Sequence, residues 1–376
     1  MHELAQLFHY FWSFTLVLTI IVFVHEYGHF LAARCCGVKI ETFSIGFGRE
    51  IIGRTDRHGT RWKIAMFPLG GYVKMAGDAT AASTPDAKAL AEMSDDDKKF
   101  SLHHKPLWKK SIIVAAGPLA NFLLTIAVLT YFIYTVGIAS TQPIIGEVMP
   151  KTPAAAAGLK PGDRIVKVDD KVMRSFNDIP EALITNLYTP VVLTVERGKK
   201  TMTLSITPIE FAEKDISGNI EKRPLIGIRS QQITRQNVNV FQAIVAATDK
   251  TYSMCVTNLH ALGQIISGDR SARALTGTLG IAKLSGDITQ QGESTRETLL
   301  TILWFIAILS AGIGLVNLFP LPMLDGGHLV FYALEAIIGR PLPERFMEYS
   351  YRAGFAVIMM LMAFTLFNDV RKIFFS

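Results

Sequence analysis

Two long stretches without a single Asp, Glu, Lys or Arg constrain this chain more than any other feature: Leu4 to Val24 and Ser111 to Gly146. A helix that crosses a bilayer needs about 20 mainly apolar residues, because backbone polar groups in hydrocarbon must be paired within the segment. The first stretch has that length, and about two-thirds of the second could span. Leu299 to Leu324 is a third candidate. Tyr349 to Phe367, interrupted by Arg352, is the fourth and weakest. Only 19% of the residues are charged, below the roughly 25% of soluble domains. The expected fold class is a polytopic α-helical membrane protein of about four transmembrane helices, in contact with the lipid bilayer. No nucleic-acid partner is expected.

The distribution of basic residues predicts which loops face the cytoplasm. Arg34 to Lys110 contains fourteen Lys or Arg, whereas none precedes Arg34. The first span therefore lacks the basic flank of a cleaved signal peptide and is expected to be retained. Arg340, Arg345 and Arg352 lie between the third and fourth spans. Four crossings place both basic regions inside and both termini outside. Arg371 and Lys372 then fall on the outer side, against the rule. The three cysteines, Cys35, Cys36 and Cys255, suggest no disulfide framework and are read as unpaired.

The long outer segment predicts a small α+β domain. Gly158 to Val168 reads as a turn leading into an alternating strand. Val191–Glu196 and Thr201–Ile206 read as two strands joined tightly at Arg197-Gly198, and Ile179–Leu187 as a short helix. Val238–Ile266 has helical spacing, Ser267–Gly292 is expected to be irregular, and Ala79–Lys99 to be a mobile loop. The chain is accordingly divided into 1–38 (first span), 39–110 (a basic cytoplasmic and membrane-associated segment), 111–138 (second span), 139–230 (the outer domain), 231–296 (helical and irregular), 297–338 (third span and a broken helix) and 339–376 (fourth span and C-terminus).

Chemistry enters at His25-Glu26-Tyr27-Gly28-His29. On a helix, residues four apart share a face, so two imidazoles can reach one metal ion while Glu26 acts as general base on the attacking water. The pattern alone is weak, but ionisable groups within a spanning helix cost roughly 2.5–3.5 kcal/mol each near its centre and mark function by default. Two histidines leave zinc short of a third protein ligand. Asp325 is the only acidic residue from Leu299 to Leu334. It follows Asn317-Leu318-Phe319-Pro320-Leu321-Pro322-Met323-Leu324, where two prolines interrupt the helix. Asp325 is the expected third ligand, and an ordinary helix N-cap is its bland alternative. His328 is the competing ligand, since zinc accepts either nitrogen or carboxylate oxygen. Asn317 could bond the substrate carbonyl or the developing oxyanion, and helix packing explains it equally well. An ion-coupled transporter, or a membrane-anchored peptide-binding adaptor without proteolysis, are the rival readings.

At these residues the chain resembles the site-2 protease family of intramembrane zinc metalloproteases, in its bacterial RseP (regulator of sigma-E protease) form. The resemblance rests on the His25–His29 motif and on Asn317, Pro320, Leu324, Asp325 and Gly326, which match the family's second signature in full. Gly117-Pro118-Leu119-Ala120-Asn121 resembles the small-residue motif of the second span. Gly46-Phe47-Gly48 and Pro68 to Met75 resemble a membrane-associated β-loop. Ala157-Gly158-Leu159 and Gly162-Asp163-Arg164-Ile165 resemble a PDZ domain, of which the chain has room for one. The resemblance implies one zinc per chain at His25, His29 and Asp325, with Glu26 as base, in a bacterial inner membrane. It also implies periplasmic termini and an active site towards the cytoplasmic side. Implied substrates are single-pass membrane proteins already trimmed outside, such as anti-sigma factors, and remnant signal peptides. The PDZ-like region would bind a peptide end or a periplasmic domain. Substrate unwinding would be aided by strand addition at Ile64, Ala65, Met66, Gly70 and Gly71, since backbone groups released in hydrocarbon need partners.

Overall fold

The computed structural model describes residues 2–78, 90, 92–140, 142–173, 175–176, 178–183, 189–198, 200–214, 220–230, 234–268, 271–272, 275–290 and 294–374. Most of the loop expected at Ala79–Lys99 and the end of the helix expected at Ile179–Leu187 lie outside the described residues. The chain forms two units, 1–132 together with 241–376, and 133–240.

In the first unit, α1 (His2–Cys35) is followed by β1 (Ile40–Thr55), β2 (Arg61–Met75) and a short α2 (Asp95–Lys98). The second long helix, α3, runs Leu107–Val136. After the inserted unit come α6 (Val240–Ser267), α7 (Thr278–Gln290), α8 (Thr295–Asn317), α9 (Asp325–Ile338) and α10 (Glu344–Phe374). Four of these helices are long and apolar enough to cross a membrane: Phe8–Cys35, Leu107–Val136, Thr295–Asn317 and Arg345–Lys372. Large apolar side chains such as Trp12, Leu123, Phe355 and Met360 are exposed along them, as lipid contact requires.

Close helix approach sets the frame. A Cβ at Gly28 would lie 2.7 Å from the Ala120 Cβ and would also meet the Ala116 carbonyl, so glycine lets α1 and α3 touch backbone to backbone. Across the other face of α3, Thr125 Oγ1 donates to the Ala307 carbonyl at 3.1 Å, and Ser310 Oγ donates to the Asn121 carbonyl at 2.9 Å. Val17, Ile21, Phe305 and Ile306 form the apolar cluster between α1 and α8.

β1 and β2 form the expected β-loop. Residues 40–45 of β1 face 71–75 of β2, and residues 42–45 also face 61–64. Its buried side packs Phe43, Val73 and Met75 against Phe30 and Ala33 of α1.

The expectation of irregular backbone across Ser267–Gly292 is overturned, because Thr278–Gln290 is helical. The start of that helix is satisfied from a distant element: Asp369 on α10 accepts from Gly277 N–H and Gly280 N–H, each at 2.9 Å. A sequence window contains no trace of such a cap. The cysteines are free, as expected.

The second unit holds a four-stranded sheet in the order β6-β5-β7-β8, with β5 Arg164–Val168, β6 Lys171–Val172, β7 Val191–Arg197 and β8 Lys200–Ile206. Strands β3 (Ile138–Ser140) and β12 (Thr234–Gln236), β4 (Ile145–Val148) and β11 (Ile228–Ser230), and β9 (Ile209–Lys214) and β10 (Ile220–Leu225) pair two by two. Helices α4 (Pro153–Ala156) and α5 (Asp178–Leu183) complete the unit. Ile145, Ile165, Leu193 and Val195 are fully buried in its core. Asp163, also buried, takes a two-pronged ion pair from Arg197 at 2.7 Å per contact, and the same guanidinium donates to the Gly158 carbonyl. The Gly158 to Arg164 turn is thereby locked onto β7.

Candidate functional site

One turn of α1 places His25 and His29 on the same face, both about nine-tenths buried. Their Nε2 atoms point at one another across 3.2 Å. The second span makes room for them: a Cβ at Gly117 would lie 2.9 Å from the His25 Cε1 and would overlap the His29 ring. One turn before it, the Ile113 carbonyl is 2.9 Å from His29 Nδ1. That bond takes the ring proton at Nδ1 and leaves Nε2 with its lone pair. One turn after it, the Asn121 amide is 3.2 Å from His25 Nδ1.

The third participant arrives from the broken helix. α8 ends at Asn317, and Pro320 and Pro322 keep the following segment from continuing it. Met323 takes a positive φ of 85° before α9 begins. Leu324 is the N-cap of α9 and Asp325 is its first residue, so the capping alternative for Asp325 does not describe this structure. Gly326 packs so tightly on the Leu318 and Phe319 carbonyls that a Cβ would collide with both. Asp325 Oδ2 lies 3.1 Å from His25 Nε2, and Oδ1 lies 3.5 Å from His29 Nε2. The three ligand atoms fall within 4.8 Å of one another, and His328 is not part of the cluster.

Glu26 shares a cavity of about 210 Å³ with these residues, and Asn317, Met323, His328 and Tyr332 also line it. The backbone N–H of Val73 faces the Glu26 carboxylate, and a Cβ at Gly71 would lie 3.2 Å from Glu26 Cγ. The last part of β2 therefore runs directly beside the expected base. Among the β-loop positions singled out from sequence, Gly71 packs on Glu26, whereas Ile64, Ala65, Met66 and Gly70 do not line the cavity. Ile64 is flanked on both sides, by Ile45 and Ile52, and Ala65 is paired with Glu50.

The sequence profile of Peptidase family M50 matches residues 13–361. The chain belongs to peptidase family M50. Curated relatives align over nearly the whole length. Metalloprotease MmpA of Caulobacter vibrioides is 40% identical over 378 aligned residues, covering 96% of this chain and 95% of that protein. The candidate zinc metalloprotease Atu1380 of Agrobacterium fabrum is 39% identical over 364, covering 96% and 95%. Among solved structures, the PDZ domain of an SdrC-like protein from Listeria monocytogenes matches at 22% identity and a TM-score of 0.20, covering 25% of this chain and 93% of that one.

As an M50 peptidase the chain is a metalloprotease, and zinc is the metal of its family. The residues present fit that ion. Zinc bonds of roughly 2.0–2.2 Å in tetrahedral geometry require ligand atoms roughly 3.3 Å apart. His25 Nε2 lies 3.2 Å from His29 Nε2 and 3.1 Å from Asp325 Oδ2, the 3.5 Å contact to His29 is made by the other carboxylate oxygen, and one ligand atom from each residue falls within 4.8 Å of the others. Asp325 Oδ2 is buried and has no hydrogen-bond partner despite its closeness to His25. A buried carboxylate oxygen without a donor, beside two imidazole nitrogens, is what a cation resolves.

Sequence reasoning missed Gly117 and Asn121 as parts of this site, reading them only as a helix-packing motif. One signal was available: an Asn inside an otherwise charge-free span is costly to bury and points to a partner.

Proposed function

We propose that this metalloprotease cuts transmembrane segments within the bilayer, with His25, His29 and Asp325 as the metal ligands and Glu26 as the base. Substrates are single-pass membrane proteins already trimmed outside, anti-sigma factors among them, and remnant signal peptides. The reading is carried by one observation: three ligand atoms from two helices, far apart in the chain, converge beside a carboxylate on helices long enough to span. Bound zinc would supply Lewis acidity, polarising the scissile carbonyl and easing ionisation of the attacking water. Glu26 takes the proton of that water and passes it to the leaving amine. Asn317, at the end of α8 and on the cavity wall, offers its amide to the carbonyl oxygen as negative charge develops there.

A helical substrate hides its carbonyls, so it must unwind, and each freed backbone group in hydrocarbon then needs a partner. The β2 segment entered through Gly70 and Gly71 has β1 as its strand neighbour on one side and Glu26 beside it on the other. A substrate strand added there lies next to the base. Ile64 and Met66, whose side chains are exposed, would contribute through them, whereas the buried Ala65 would not. The outer unit is assigned a PDZ-like role, holding a peptide end or excluding bulky periplasmic domains. The resemblance supports a bacterial inner membrane, and the distribution of basic residues supports periplasmic termini and a site towards the cytoplasm.

The test is incubation of the detergent-purified protein with a model transmembrane peptide, with and without a zinc chelator, and mapping of products by mass. Cleavage within the apolar segment, abolished by chelator and by Glu26→Gln while zinc is retained in that variant, is expected. Cleavage indifferent to chelator, or full activity of Glu26→Gln, sinks the reading. A transporter would show neither product nor stoichiometric metal.

A further inference from the structure

An imidazole that gives Nε2 to a metal must carry its proton on Nδ1, and a buried N–H without an acceptor is costly. For His29 the acceptor is the Ile113 carbonyl. For His25 the partner at Nδ1 is the Asn121 side chain, fully buried, with its amide nitrogen 3.2 Å away and its Oδ1 without a partner. Amide oxygen and nitrogen have the same shape, so either can occupy the position beside the ring. The far end of the amide is unpartnered in both orientations, so counting unpaired groups does not choose between them. The ring does. With nitrogen facing it, His25 would hold its proton on Nε2, the atom aimed at His29 and Asp325. With oxygen facing it, the proton sits on Nδ1 and Nε2 is free.

We propose that Asn121 is a positioning residue for the metal centre, accepting the Nδ1–H of His25 through Oδ1 and so fixing the tautomer that binds. This rests on the metal-site reading above. Ile113, Gly117 and Asn121, at successive turns of α3, then supply one acceptor, space for both rings, and a second acceptor. The Asn121 backbone carbonyl, as distinct from its side-chain amide, receives bonds from Ser310 Oγ and Thr125 Oγ1, which are contacts of helix packing.

The experiment compares the full-length wild type with Asn121→Asp, Asn121→Ala, Asn121→Leu and Ser310→Ala. Zinc affinity is measured by chelator competition. The exchangeable, paramagnetically shifted ring N–H signals are recorded on cobalt(II)-loaded protein. The wild type should show two such signals, from His25 and His29. Asn121→Leu should bind zinc about 10–100-fold more weakly and lose or broaden the His25 signal. Asn121→Ala carries the same test without added volume should leucine prevent folding. Asn121→Asp, which keeps an acceptor, should restore both signals and bind at least as tightly as wild type. Ser310→Ala, which loosens helix packing and leaves the amide intact, should stay within about threefold of wild type. Wild-type affinity and two signals in the leucine and alanine variants overturn the proposal. So does equal weakening by Ser310→Ala with both signals intact, which would make the role one of packing. Failure of the wild type to bind zinc removes the metal site itself and this inference with it.

Discussion

At the scale of single residues, the site depends as much on what is missing from Gly117 as on what its neighbours carry. Gly117→Ala is expected to push the His29 ring out of line and to lower zinc from about one per chain to well below half, read by metal analysis of purified protein. Helix content by circular dichroism should be unchanged, since alanine favours helix over glycine by about 1 kcal/mol. The proposed ligands were legible in the sequence. His25 and His29 lie within one helical turn, and Asp325 is the only acidic residue in a long uncharged stretch. Gly117 and Asn121 were not legible as site residues, because their role exists only once α3 is laid against α1. Periodicity within one segment carries no information about which face of another segment it will meet.

At the scale of elements, the four helices long and apolar enough to span, the β-hairpin of the second unit and the long helix before α7 were readable from length, charge and turn residues. Helix α7 was not, because its N-terminal N–H groups are satisfied by Asp369 on α10, far along the chain. Locally, Gly277, Gly280 and Gly286 argue against a helix, and the tertiary cap overrides them. In the second unit the Asp163–Arg197 pair is the analogous device. Burial acts to raise the Asp163 carboxyl, but the Arg197 guanidinium and the Lys160 amide outweigh it and hold it below its ordinary 3.8. A depressed carboxylate stabilises the fold at pH above its unfolded value, and that stabilisation is lost as pH falls through the folded one. The sheet should therefore be insensitive to pH near neutrality and loosen in acid, below about pH 4. At pH 7, Asp163→Asn is expected to cost roughly 2 kcal/mol. It should speed amide exchange in β5 and β7 of the full-length protein by roughly 30-fold. Unchanged exchange would show that the pair is incidental.

At the scale of the membrane unit, α7 links the two ends of the chain. Its N-terminus is capped by α10, while its later turns bond α1, with Tyr10 Oη donating to Asp287 at 2.8 Å and His9 Nε2 lying 2.7 Å from Thr289 Oγ1. Asp369→Ala removes the cap at a cost of about 1–2 kcal/mol. It should raise amide exchange across Gly277 to Ile281 by roughly 5- to 30-fold, with a smaller rise where α7 meets the first span. Exchange confined to wild-type rates would mean that the link is not structural.

The division of the proposed metal ligands between α1 and α9 has a consequence for biosynthesis. Two ligands are made within the first thirty residues and the third only at position 325. At roughly 5–20 residues per second, the ribosome takes about 15–60 s to travel between them. Throughout that interval the two imidazoles are present without Asp325. A chain stopped before that segment is thus a latent hydrolase, and the capacity to cut arrives only with a segment made almost three hundred residues after the histidines.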